Sequence, residues 1–189
     1  MNPEHPITRR EFVTTTSKAV AGAVLLSQIP DSAAAMPQGK KRRLAMVGTG
    51  HRGSGMWGQS VMERYGDIVE FVGLCDSNPG RVETARKMIG ASCPTFTNYE
   101  EMLTKTKPDT VIVTTVDGTH HTFIAKALEM GIDVITEKPM STDETKLKVI
   151  LDAAKKSKNK LIMAHNYRYP PTAAKVKELL MQERVGRVT

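Results

Sequence analysis

A chain of 189 residues is long enough for one α/β domain of ordinary size plus a leader, and short for two full domains. Its 40% hydrophobic and 25% charged residues are those of a soluble globular protein rather than a disordered or membrane-spanning one. The formal net charge of +7 raises nucleic acid as a partner, but the basic residues are interleaved with acids and aromatics reach only 5%, too few for a base-stacking platform, so no nucleic-acid role is expected.

Residues 1–35 read as a leader and stand outside the fold. Thr8-Arg9-Arg10-Glu11-Phe12-Val13 resembles the twin-arginine export consensus. A mild apolar run over 19–29 follows, shorter than the roughly 20 residues that span a bilayer. Ala33-Ala34-Ala35 then offers a small-residue cleavage site ahead of Met36. No Cys follows the apolar run, so a lipid anchor is not expected. This order predicts recognition by the twin-arginine export machinery and a periplasmic location. That route carries folded proteins, often with a cofactor aboard. It suits a chain with two cysteines, Cys75 and Cys93, and no disulfide framework. Residues 36–42 read as a solvated basic linker, with the dense run Lys40, Lys41, Arg42 and Arg43 at its end.

One domain is expected over 43–189. Residues 44–47 form a short buried strand, and 54–65 a helix. A β-rich run over 68–75 ends in Asp76. Residues 81–89 are helical and 95–97 a short strand. Asn98 opens the next helix, with Glu101 completing a capping box. Residues 110–115 make a central strand, and 120–130 a helix stopped by Gly131. A strand over 133–136 follows. Ser141 and Glu144 read as a second capping box, and Leu147, Ile150, Leu151 and Ala154 keep helical spacing. A sixth strand over 161–164 leads to a last helix over 172–183, ended at Gly186. Strands alternating with helices at this spacing predict an α/β fold, a doubly wound parallel sheet of the Rossmann kind.

Between the first strand and first helix stands Gly48-Thr49-Gly50-His51-Arg52-Gly53. This G-x-G-x-x-G lies where a dinucleotide needs it. Gly48 permits the tight turn, Gly50 lets backbone approach a pyrophosphate, and Gly53 lets helix and strand pack closely. The pyrophosphate then meets the N–H groups of the helix start. His51 and Arg52 join these as cofactor-binding candidates, Arg52 through a charge-assisted contact. The alternative is a glycine-rich turn with no ligand. Asp76, near the expected spacing of about 20 residues beyond the last glycine, is placed to accept from ribose hydroxyls and to repel a 2′-phosphate. NAD is therefore favoured over NADP, with Ser77 and Arg81 close enough to soften the preference. The plainer reading of Asp76 is a turn residue in an Asp-Ser-Asn-Pro-Gly loop. No metal site is expected.

Past the fifth strand comes Glu137-Lys138-Pro139. Together with VGTGHRG, VGLCDSNPGR, DTVIVTTVDGTHHTFIAKALEMGIDVITEKPMS and NYRY, it resembles the Gfo/Idh/MocA family of sugar oxidoreductases from about Arg43 onward. The resemblance implies that Lys138 is catalytic, beside the nicotinamide and the reacting sugar carbon, with Glu137 and Pro139 shaping that corner. It implies that Thr114, Thr115 and His120 line the cofactor groove, and that Asn166 and Arg168 approach the nicotinamide end. The family often has a proline after the fourth strand; Val116 and Asp117 stand there instead. Lys138 also has a logic of its own. A lysine at the carboxyl end of a parallel strand faces the crevice where ligands bind and can share a hydroxyl proton as hydride leaves the adjacent carbon. His121 and His165 are read as structural.

The family carries a second, substrate-holding domain after this one, and Arg187-Val188-Thr189 falls about where its first strand would begin. The expectation is the nucleotide-binding part of an NAD(P)-dependent oxidoreductase of a small carbohydrate or cyclitol, inactive as this chain alone and homo-oligomeric at full length. The alternatives are an NAD-dependent glycoside-cleaving enzyme that retains its cofactor, and a non-catalytic nucleotide-binding module. For the leader, replacing Arg9 and Arg10 together by Lys is expected to hold the precursor in the cytoplasm. Mature protein found in the periplasm by fractionation would contradict that reading.

Overall fold

The computed structural model describes residues 39–184 and Gly186. The expected export signal, with Arg9, Arg10 and the expected cleavage site at 33–35, lies outside the described residues. Among the described residues six segments form strands: β1 (Arg42–Val47), β2 (Val69–Cys75), β3 (Thr95–Phe96), β4 (Thr110–Val113), β5 (Asp133–Glu137) and β6 (Leu161–Ala164). The helices between them are α1 (Arg52–Gln59 continued by Ser60–Tyr65), α2 (Pro79–Ile89), α3 (Tyr99–Thr106), α4 (His120–Glu129) and α5 (Glu144–Lys156), with α6 (Pro171–Met181) after the sheet. Short 3₁₀ turns occupy Asp117–Thr119 and Asn166–Arg168.

All strands are parallel, in the order β3-β2-β1-β4-β5-β6. The chain starts at the centre, winds out to β3, then crosses back to β4 and winds out to β6. That is the expected doubly wound sheet. Its direction reverses between β1 and β4, and the crevice at such a reversal is where ligands of open α/β sheets bind. Alternation along β1 sends Leu44 and Met46 to one face and Ala45 and Val47 to the other. On the first face α1 and α2 supply Trp57, Val61, Val82, Ala85 and Ile89; on the second α3, α4 and α5 supply Met102, Leu103, Ile124, Leu128 and Ile150. Burial on both faces is why the central strands read as continuous apolar runs.

Several expectations are corrected. The basic run is not a solvated linker throughout. Arg42 and Arg43 belong to β1. Arg42 donates to Thr110 Oγ1 at 2.7 Å and pairs with Asp133 at 2.5 Å, while Arg43 donates to the carbonyls of Thr106 and Lys107. These guanidinium groups satisfy acceptors where α3 ends and β4 and β5 begin. The capping box at Asn98 is half-made: its Oδ1 accepts from Glu101 N at 2.9 Å, but the Glu101 carboxylate pairs with Lys105. The cap of α5 is Asp143, which has the extended backbone a cap needs and accepts from Lys146 N; Ser141 instead donates to the Asp143 carbonyl. The first helix begins at Arg52 and is π-wound as far as Gln59.

The periphery beyond β5 is open. No residue of α6 is buried, and Ile162, Tyr167, Tyr169, Val176, Leu180 and Met181 are exposed apolar side chains. Among the described residues, no helix is long and apolar enough to cross a membrane.

Candidate functional site

The glycine loop is held by backbone contacts that leave no room for side chains. Gly48 has φ +89°, and a Cβ there would lie 2.6 Å from the backbone of Thr114 and Thr115. A Cβ on Gly53 would lie 2.3 Å from the Gly48 carbonyl oxygen. Thr114 Oγ1 donates to that same carbonyl at 2.5 Å, joining β4 to the loop. Gly50 differs: nothing lies within 4 Å of the Cβ it lacks. Two of the three glycines are thus demanded by the protein's own packing. The third leaves open space beside the start of α1, where free helix N–H groups favour an anion.

Asp76 is buried at the end of β2. Its Oδ2 accepts from Thr49 N at 2.8 Å and Thr49 Oγ1 at 3.1 Å, and its Oδ1 accepts from Asn78 N at 2.9 Å. Arg81 approaches Oδ1 at 3.4 Å. A carboxylate has about four acceptor sites, so capacity remains for a ligand hydroxyl. Asp76 therefore orients the glycine loop as well as facing the groove. Gly48, Gly50, Asp76, Arg81, Thr114 and Thr115 line one cavity of about 430 Å³ at the carboxyl ends of β1, β2 and β4. This open glycine face with a buried acid beside it fits the adenosine and pyrophosphate parts of a dinucleotide.

The Glu137-Lys138-Pro139 turn at the end of β5 is fixed from both sides. Glu137 is buried, and its Oε1 accepts from Arg52 Nε and Trp57 Nε1, each at 2.7 Å. Burial pushes this carboxyl up, but the Trp57 and Arg52 hydrogen bonds, the Arg52 charge and the Lys138 N–H outweigh it and hold the group below its ordinary value. On the other flank His120 is fully buried, with Nδ1 2.8 Å from the Pro139 carbonyl and Nε2 3.0 Å from that of Thr115. Lys138 between them is exposed. With Pro139, Asn166 and Arg168 it lines a second cavity of about 680 Å³, to which Met140, Met163 and Tyr167 add apolar wall.

The expected residues thus divide. Six line the first cavity and four the second. Glu137, Gly53 and His120 hold the surrounding backbone. The expectation that His120 lines the groove is corrected: both ring nitrogens face backbone carbonyls under it. Arg52, expected at the pyrophosphate, commits its Nε to Glu137. His51 is exposed and borders a surface groove with Ser54, Asn78 and Met88 that adjoins the first cavity through Gly50 and Arg81. His165, read as structural, lines the second cavity, and His121 Nδ1 is buried with no partner among the described residues. Sequence reasoning missed Thr49 and Trp57. Trp57 had a signal: it is the one tryptophan of the chain, set among Gly53, Gly55 and Gly58. Among the described residues no group of three or more His, Cys, Asp or Glu side chains could hold a metal ion.

The family model "Oxidoreductase family, NAD-binding Rossmann fold" matches residues 42–165. YteT of Bacillus subtilis (strain 168), named as an oxidoreductase, is 38% identical over 152 residues, which cover 78% of this chain and 36% of YteT. Glycosyl hydrolase family 109 protein 1 of Akkermansia muciniphila is 31% identical over 142 residues, covering 70% of this chain and 29% of that protein. Among solved structures, the WlbA dehydrogenase of Chromobacterium violaceum, in complex with NADH and UDP-GlcNAcA, superposes with TM-score 0.70 at 30% identity, covering 80% of this chain and 43% of that one. The chain therefore spans less than half the length of these proteins.

The Glu137 contacts carry a pH dependence. A carboxyl lowered in the folded state adds stability that is complete above the ordinary Glu value of about 4.3. That stability is lost as pH falls through the lowered folded value. Glu137→Gln is expected to cost about 1–3 kcal/mol near neutral pH and much less in acid, read from urea midpoints across pH 3–7. A pH-independent difference would contradict the charge-assisted contacts.

Proposed function

The chain belongs to the Gfo/Idh/MocA oxidoreductase family through its NAD-binding Rossmann fold, and from that premise we propose that it is the cofactor half of a dehydrogenase acting on a ring hydroxyl of a sugar, sugar derivative or cyclitol. The observation that carries this reading is the open face of Gly50 beside buried Asp76 in the first cavity, with the exposed ammonium of Lys138 at the second. In this reading the Gly50 backbone and the start of α1 take the pyrophosphate. Asp76 takes a ribose hydroxyl with its remaining acceptor capacity. Thr114 and Thr115 wall the groove between the two cavities, and Asn166 and Arg168 approach the nicotinamide end. NAD, when bound, supplies the hydride acceptor. Lys138, an ammonium in the binary complex, gives up one proton to solvent as the substrate seats; its neutral amine then holds the substrate hydroxyl and takes that hydroxyl's proton as the carbon–hydrogen bond breaks, a role worth typically 10²–10⁴-fold. The larger share of the rate comes from holding the substrate against the ring. That task falls to a substrate domain, whose seat we assign to the exposed apolar surface of β6 and α6. Oligomers of the full-length protein and twin-arginine export to the periplasm belong to the same proposal.

A second reading is favoured by the 31% identity to a glycosyl hydrolase family 109 protein. In it the same site oxidises a sugar transiently and restores the cofactor as a glycosidic bond is cleaved. Net NADH accumulation separates the first reading from the second.

Titration of the 189-residue chain is expected to show NAD binding about tenfold or more tighter than NADP, the effect of one unfavourable charge contact of roughly 1.4 kcal/mol. Asp76→Asn, which keeps an acceptor for Thr49 but removes the charge, is expected to narrow that gap. Equal affinities in the unaltered chain would contradict the role given to Asp76.

A further inference from the structure

We propose that Arg52 and Trp57 are positioning residues that hold Lys138 at the nicotinamide end by clasping the carboxylate of Glu137. The inference rests on the reading above that Lys138 faces the nicotinamide. It begins with an unusual local geometry. Arg52 and Trp57 are five residues apart, yet both donate to one oxygen, Glu137 Oε1, at 2.7 Å. In an α-helix, residues five apart point about 140° away from each other, at 3.6 residues per turn. The segment Arg52–Gln59 is instead π-wound. Its i→i+5 hydrogen bonds widen the turn and bring residues five apart toward one face of the helix. The rare winding is therefore what lets two side chains of α1 meet on a single acceptor of β5.

The clasp acts where it matters for Lys138. Glu137 is the residue before it, and the residue after it, Pro139, has its carbonyl beside His120 Nδ1 at 2.8 Å. The Lys138 backbone is thus fixed on both flanks. Its side chain is exposed, and among the described residues it makes no ion pair. An ammonium with a fixed root and free head beside the 680 Å³ cavity is held ready for a partner that comes with ligands. The clasp springs from the same helix whose first turn borders the glycine loop, so the two ends of the site share one element.

The consequence is electrostatic. An ammonium held at the nicotinamide repels the positive ring of NAD but not the neutral ring of NADH. The ratio of NADH to NAD affinity therefore reports where Lys138 sits, without any turnover. A purely structural role for the clasp would move both affinities together. The test uses the 189-residue chain, with NAD, NADH and ADP-ribose titrated into wild type, Lys138→Ala, Trp57→Phe and Arg52→Lys. Both clasp variants conserve charge: Trp57→Phe removes its donor, and Arg52→Lys replaces the planar guanidinium N–H with an ammonium that lacks its fixed geometry. Lys138→Ala is expected to cut the NADH preference about three- to tenfold, and both clasp variants to shift it the same way by a smaller factor. ADP-ribose affinity of Lys138→Ala and Trp57→Phe is expected to stay within about twofold, since neither side chain lines the cavities at the glycine loop and distant, independent sites contribute additively. If Lys138→Ala shifts the ratio and the clasp variants do not, the clasp proposal is overturned and the reading of Lys138 stands. If Lys138→Ala leaves the ratio unchanged, the reading of Lys138 fails and the clasp proposal with it. If Trp57→Phe loses ADP-ribose as well, the clasp is a support of the glycine loop, which also overturns the proposal.

Discussion

The site depends on a close approach that excludes side chains. The carbonyl of Gly48, the α-carbon of Gly53 and the Thr114 hydroxyl meet at one point, where β1 ends, α1 begins and β4 passes beneath. A single Cβ on Gly53 would sit 2.3 Å from the Gly48 oxygen. Backbone does not yield at such a contact, because interiors are packed as densely as crystals. The turn this forces brings the start of α1 to the carboxyl edge of the sheet, at the reversal of strand order. The anion-binding end of the helix, the buried acid of β2 and the threonines after β4 then share one groove.

The second half of the site follows from the same helix. Having been turned at Gly53, α1 runs past the end of β5 with Arg52 and Trp57 toward Glu137. Burying a carboxylate is costly unless it is paired and hydrogen-bonded, and here two charged or polar N–H groups meet one oxygen. His120 fixes the other flank of the turn from α4. Lys138 is left as the exposed head of a turn held on both flanks. The exposed apolar surface of β6 and α6 lies beyond it.

Much of this was legible in the sequence, for definable reasons. Strands buried on both faces give unbroken apolar runs such as residues 110–113, and a helix following each run leaves little choice of topology. The glycine spacing announced the loop, and Asp76 followed from it by distance. Lys138 was different: a lone lysine before a proline carries no signal of its own, and the resemblance of its surroundings supplied one. The roles of Arg52, Trp57 and His120 were not legible. Arg52 and Trp57 reach an acceptor 80 or more residues away, and only through a π-wound helix that no residue pattern marks. His120 could be placed near the groove but not under it, since its orientation depends on two backbone carbonyls from separate turns.

The central claim is that the glycine loop and the Glu137-Lys138-Pro139 turn are two ends of one dinucleotide site. Hydrogen exchange of backbone amides in the presence of NAD and of ADP-ribose tests it most directly. The account predicts that ADP-ribose slows exchange in residues 48–54 and not at residues 137–140, while NAD slows exchange at both together. Protection by NAD that is confined to the glycine loop, or that spares it, would contradict the account.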